Sequence, residues 1–130
     1  MEAALILAAF LRVSPVLVQR VYEVSGIEGV AVVWCESRFN PTAARREPEG
    51  TSWGLWQLYD KYHKQHRDNL DLHIIEGALF LEWCLTTEHG DFVRAVSRYN
   101  SGSPVRSREW GERVARERDA LLKYLWMELR

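Results

Sequence analysis

The sequence predicts a mainly α-helical domain with at most a small hairpin in one loop. Apolar residues recur every three to four positions in several separate stretches. Capping and breaking signals punctuate those stretches, and no run of any length alternates as a strand does. One domain spanning residues 1–130 is expected, without internal repeat or linker.

The elements follow in order. Residues 3–11 (AALILAAFL) are all apolar. Glu2 precedes them and Arg12-Val-Ser-Pro follows, which is the reverse of a secretory signal, and nine residues fall far short of the ~20 that cross a bilayer. A first core helix is the expectation, with no membrane span and no export signal. Ser14-Pro15 supplies an N-cap followed by proline at the first helical position, starting a helix that runs to Val24 and stops at Ser25-Gly26. A third helix from Glu28 carries Val30, Val32, Val33 and Trp34 and is broken at Asn40-Pro41. Residues 38–57, with two prolines and two glycines, read as an irregular polar loop of the kind that carries function. From Asp71 to Glu88 the set Leu72, Ile75, Leu79, Trp83 marks an amphipathic helix whose apolar stripe is expected to face the core. His89-Gly90 ends it. A short helix follows from Asp91 to Tyr99, broken by Asn100-Ser-Gly-Ser-Pro104. The last helix, 106–129, is apolar at Trp110, Val114, Leu121, Leu125 and Leu129, with Glu109–Arg113 and Glu112–Arg116 as expected surface pairs.

Composition narrows the function. At 47% apolar and 27% charged the chain is an ordinary globular protein. Its net charge of -1 gives no general reason to seek nucleic acid or an acidic membrane. Residues 91–130 nonetheless carry nine basic and six acidic side chains, a local excess that would favour an anionic polymer weakly. Two cysteines, Cys35 and Cys84, are too few for a disulfide scaffold or a structural zinc site and are expected as reduced core thiols. His63-x-x-His66 has ligand-like spacing but nothing completes the set, so no metal and no cofactor is expected. Six Trp and five Tyr exceed the needs of one small core. Amphipathic rings suit a binding groove. Trp34, Trp83, Trp110 and Trp126 follow helical spacing and are assigned to the core.

Glu36 is the first candidate for chemistry. It ends an apolar helix, close to the negative end of the helix dipole, where burial and dipole both disfavour its ionised form. A general acid working near neutral pH needs that shift. A carboxylate paired with Arg38 or solvated at a helix end is the alternative.

Three stretches weigh on that choice. Glu36-Ser-Arg-Phe-Asn-Pro-Thr-Ala43, Trp53-Gly-Leu-Trp-Gln-Leu58 and Ala95-Val-Ser-Arg-Tyr-Asn-Ser-Gly102 occur in this order. Together they resemble the three motifs of the lytic transglycosylase SLT domain and its relative, the goose-type lysozyme, of the lysozyme-like superfamily. The resemblance implies a lysozyme-like fold and a cleft for a glycan of alternating N-acetylglucosamine and N-acetylmuramic acid. It implies Glu36 as acid and then base, Tyr99 as the group that hydrogen-bonds and orients it, and Gln57 as the contact to the acetamido group, with Ser37 and Asn100 shaping the site. Trp53, Trp56, Tyr59 and Tyr62 are spaced by threes around the second motif. Trp56, at the family's Met position, is expected in the wall, and Trp53 or Tyr59 nearer the glycan.

The goose-type family has an acidic residue two positions after the glutamine, where this chain has Tyr59, with Asp60 one later. Asp60, Glu47 and Glu49 are the candidate second carboxylates. The departure favours cleavage without water, giving 1,6-anhydro ends, over muramidase hydrolysis. A small helical protein that binds nucleic acid, or a wall-binding domain without activity, is the non-enzymatic alternative. A lone catalytic domain without export signal resembles a phage or prophage endolysin, made in the cytoplasm, monomeric, and acting on the cell wall.

Overall fold

The computed structural model describes residues 2–130. Five helices and one small sheet follow in the order α1 (Glu2–Leu11), α2 (Pro15–Ser37), β1 (Ala44–Glu47), β2 (Gly50–Trp53), β3 (Leu58–Tyr59), α3 (Leu70–Thr87), α4 (Phe92–Ser101) and α5 (Arg108–Leu129). α2 packs against α1, α3 and α5, and α4 bridges α3 and α5. The sheet is antiparallel in the order β1-β2-β3, with Arg45 opposite Ser52 and Ser52 opposite Tyr59. This is a mainly α lysozyme-like domain. No helix among the described residues is long and apolar enough to cross a membrane.

The punctuation in the sequence acts as expected. Ser14 and Asp91 cap α2 and α4 by accepting the backbone N–H of Leu17 and Arg94, and α3 starts one residue before the expected Asp71, capped by Asn69, which accepts the Leu72 N–H. Gly102 closes α4 in the left-handed conformation. Gly26 does break the helix, at φ 64 and ψ −161, but no loop intervenes. The chain kinks there and resumes, so the expected second and third helices form one bent α2. Glycine alone adopts that backbone readily.

Three expectations are corrected. The irregular loop holds a three-stranded sheet rather than at most a hairpin, its strands too short to register as an alternating pattern. On α3 the apolar stripe Leu72, Ile75, Leu79, Trp83 faces solvent, while His73, Ile74, Gly77, Ala78, Leu81 and Cys84 are buried. The helix has two apolar faces, and the one with small residues allows the closer approach. On α5, Val114, Leu121 and Leu125 are buried, whereas Trp126 and Leu129 are exposed because the last turns run past the core. The i,i+4 pair that forms there is Arg108–Glu112, at 3.0 Å.

The close approach is made to Trp56, which is fully buried. A Cβ on Gly77 of α3 would fall inside its indole, and one on Gly29 of α2 would crowd both Ser25 and the edge of the same ring. Gly77→Ala is therefore expected to destabilise the domain by about 1–3 kcal/mol in urea unfolding, despite alanine's better helix propensity. Combined with Trp56→Met, its cost should fall well below the sum of the two single changes.

Candidate active site

A cleft of about 610 Å3 lies between the sheet and the helices, with Glu36 among its lining residues. Glu36 stands in the last turn of α2. Beyond it Arg38 and Phe39 both take positive φ (54 and 61), an uncommon pair for residues with side chains, and turn the chain sharply towards the sheet. Glu36 Oε1 is buried and has no hydrogen-bond partner among the described residues. Burial pushes its pKa up to about 7, and repulsion from Glu47 adds to the rise, against the pull of the Arg45 guanidinium and of the nearby Trp110 N–H. The Trp110 nitrogen itself lacks a partner in ordinary hydrogen-bond geometry, so the indole faces the carboxyl without a formed bond.

The period of two in β1 puts Arg45 and Glu47 on one face, and that face is the cleft wall. Arg45 Nε donates to Glu47 Oε1 at 2.9 Å, and Ser52 Oγ on the paired strand donates to the same oxygen at 3.2 Å. Across the register Tyr59 also faces the cleft, its hydroxyl accepting the Glu49 N–H at 3.0 Å. Gln57, at φ 51, spends both amide hydrogens on the Ala43 and Gly54 carbonyls, at 3.1 and 3.0 Å. Its own carbonyl oxygen is the group left to accept a ligand's N–H.

Several sequence-derived roles change. Tyr99 lines the cleft beside Glu36, but its hydroxyl donates to the Trp56 carbonyl at 2.5 Å rather than to Glu36. Burial, with repulsion from Glu36 second, holds its pKa well above the usual range, so it remains a neutral donor. Ser37 does not line the cleft. Its Oγ donates to the Leu55 carbonyl at 2.8 Å and ties the end of α2 to the second motif. Asn100 is in the cleft wall, accepting from Ser107 Oγ at 2.7 Å. Trp53 is turned away from the cleft, because it neighbours Ser52 on β2 and strand residues alternate faces. It lines a separate cavity of about 210 Å3, with the Arg67 guanidinium 3.5 Å from its ring centroid. Asp60 is spent on β2, accepting from Thr51 N at 3.0 Å and from Trp53 Nε1 at 3.4 Å. Glu47 is the acidic residue that shares the cleft with Glu36.

The histidines serve the wall. His63 packs edge-on against Phe80, with centroids 4.4 Å apart, and His66 faces Glu76 at 3.7 Å. His73 is buried, and its Nε2 accepts the Trp56 N–H at 3.1 Å. Burial, helped by nearby His66, lowers its pKa to about 4. Cys35 and Cys84 are free, and burial pushes their pKa values up to about 11 and 12, so both stay as inert thiols. Sequence reasoning missed Trp83, Trp110, Arg98 and Phe80 as cleft or near-cleft residues. The small-residue stripe Gly77, Ala78 on α3 was the available signal, since it marks the buried face and leaves Trp83 outside.

A raised-pKa carboxylic acid in an aromatic-lined cleft, on a lysozyme-like helical scaffold with one small sheet, is an arrangement suited to general-acid chemistry. The chain belongs to the transglycosylase SLT domain family, which it matches over residues 19–122. That family acts on peptidoglycan, which places its action at the cell wall. No curated protein and no solved structure is significantly similar to the chain.

The two perturbed groups act in opposite directions on stability. His73 binds its proton less well when folded, so the stability it supports is present above about pH 6.5 and lost as the pH falls towards 4. Glu36 binds its proton better when folded, so its cost is absent at pH 4.5 and complete above about pH 7. Glu36→Gln is therefore expected to stabilise the domain by about 2–3 kcal/mol at pH 8 and very little at pH 4.5, read from paired denaturation curves.

Proposed function

We propose that this domain cleaves the β-1,4 bond between N-acetylmuramic acid and N-acetylglucosamine without consuming water, leaving 1,6-anhydro ends. The observation that carries the reading is the unpartnered, buried Glu36 carboxyl, protonated up to about pH 7, in a cleft with Gln57 and Tyr99. Glu36 gives its proton to the glycosidic oxygen, the bond from that oxygen to the muramyl C1 breaks, and positive charge develops on the ring. The carboxylate so formed takes the proton of the same sugar's 6-hydroxyl as that oxygen bonds to C1. Glu36 ends protonated, as it began. The Gln57 carbonyl oxygen accepts the acetamido N–H and sets the ring's register. Tyr99 acts as a positioning residue, holding the Trp56 carbonyl and with it the segment that carries Gln57.

Two features favour the internal hydroxyl over water. Tyr59 occupies the cleft wall where the goose-type resemblance places an acid, and Asp60 is bound to β2. A muramidase reading rests on a different observation, the Glu47 carboxylate held in the cleft by Arg45 and Ser52. In that reading Glu47 would take a proton from water. A phage or prophage endolysin acting on the cell wall is the biological setting we propose.

Glu36→Gln is expected to lower lysis of purified peptidoglycan by about a hundred- to ten-thousandfold, the range that general-acid catalysis of this kind contributes. In the parent, activity should fall as the pH rises through about 7, following loss of the Glu36 proton. Mass spectrometry of the digest should show 1,6-anhydro-muramyl ends from the parent and from Glu47→Gln alike. Reducing-end muramic acid carrying oxygen from labelled water, lost in Glu47→Gln, would establish the muramidase instead.

A further inference from the structure

We infer that Trp83 and Arg98 form an outer subsite of the cleft that stacks one sugar ring and pairs with a carboxylate carried by the glycan strand. The inference rests on the peptidoglycan reading above and adds a residue pair, Trp83 outside the three motif stretches and Arg98 within the third, to which the resemblance assigns no role. Trp83 lies on the solvent-facing stripe of α3, is 54% exposed, and lines the cleft. Its ring is nearly parallel to that of Phe80, at 10° with centroids 6.1 Å apart, and Phe80 in turn packs 5.0 Å from Tyr99. An aromatic wall thus runs outwards from beside Glu36 and ends in an open indole face. The C–H faces of a pyranose suit such a surface, and an indole that stays half exposed beside a groove leaves apolar area for a ligand to cover.

Arg98 supplies the second half. Its guanidinium sits 6.0 Å from the Trp83 ring centroid, and its Nε donates to Glu88 at 2.6 Å. Glu88, buried at the C-cap of α3, also accepts from Arg94 Nε at 3.1 Å. One carboxylate is thereby shared by two guanidiniums. Within the cleft Arg45 and Glu47 neutralise each other, and Glu36 is neutral up to about pH 7. The Arg94–Glu88–Arg98 cluster keeps one unbalanced positive charge, and Arg98 is its member in the cleft wall, its terminal nitrogens bound among the described residues only by a 3.4 Å contact to the Gly102 carbonyl. A planar guanidinium held beside a sugar platform selects a carboxylate. On a wall glycan that group is the lactyl carboxylate of a stem-free strand or an acid of the stem peptide.

The test uses binding to the Glu36→Gln protein, in which turnover is removed, with three probes: neutral N-acetylglucosamine oligomers, stem-free alternating strands, and strands bearing stem peptides. Trp83→Ala is expected to weaken all three by about five- to tenfold, and in the active parent to raise KM rather than lower kcat. Arg98→Gln should weaken only carboxylate-bearing probes, by roughly three- to tenfold, and Glu88 keeps Arg94 as its partner in that variant. Weakening with stem-free strands assigns the lactyl carboxylate; weakening with stem-bearing strands alone assigns the peptide. Raising salt against the unmutated Arg98 should reproduce the same selectivity without any change to the fold. Unchanged binding in Trp83→Ala overturns the stacking, and equal loss for neutral oligomers in Arg98→Gln, or equal salt sensitivity, overturns the carboxylate assignment. If the parent neither cleaves nor binds any of the three, the peptidoglycan reading fails and the subsite with it.

Discussion

The segment Gly54–Gln57 is the constraint on which the rest depends, and Trp56 is its wedge. The indole is fully buried between Gly29 of α2 and Gly77 of α3. Its backbone is tied on both sides, the N–H to His73 of α3 and the carbonyl to Tyr99 of α4. The preceding carbonyl, of Leu55, accepts from Ser37 at the end of α2. Three helices are therefore referenced to four residues of loop. The same four residues present Gln57 to the cleft and define where Glu36 stands relative to it. Neutral donors and acceptors make all of these ties, and burial keeps them so. Tyr99 is held well above its usual pKa and His73 well below its own.

Catalytic readiness and stability pull against each other at Glu36. A carboxyl with a buried, unpartnered oxygen is a poor element of structure, because its ionised form is desolvated without return. That defect is what keeps it protonated near neutrality. The neighbouring charges are arranged to moderate rather than cancel it. Arg45 lowers the pKa and Glu47, bonded to it, raises it by less, so only part of the Arg45 pull on Glu36 is offset. Trp110 has the same character, an indole N–H near the carboxyl without a formed bond. Such unsatisfied pairs are rare in structural cores and expected where a substrate oxygen is to be accommodated.

Much of the fold was legible in the sequence because helix punctuation is local. Ser14, Asp91 and Gly102 act within one turn of their own positions, and each does so here. Which helix face is buried is a different matter. On α3 the large residues Leu72, Ile75, Leu79 and Trp83 suggested the core, yet Gly77 and Ala78 occupy it. The reason lies in Trp56, a partner distant in sequence whose bulk must be met by small residues. Trp53 was misplaced for a related reason. Spacing by three groups it with Trp56 and Tyr59, but β2 is a strand, so its side chain points opposite to Ser52 and away from the cleft.

Glu36, Gln57, Tyr99 and Asn100 could be named as candidates from sequence alone, since their motifs keep fixed order, and all four line one cleft. Their chemical roles depended on partners. Tyr99 serves Trp56 rather than Glu36, Asp60 serves β2, and Glu47 becomes the second carboxylate of the cleft because strand alternation aims it inwards. Capping, turn chemistry and periodicity are properties of neighbouring residues, so the sequence determined most of the helices, the helical class and the position of the candidate acid. Burial, register and hydrogen-bond pairing join residues far apart in the chain. For that reason only the tertiary structure decided which surplus aromatic rings face the core and which face the cleft.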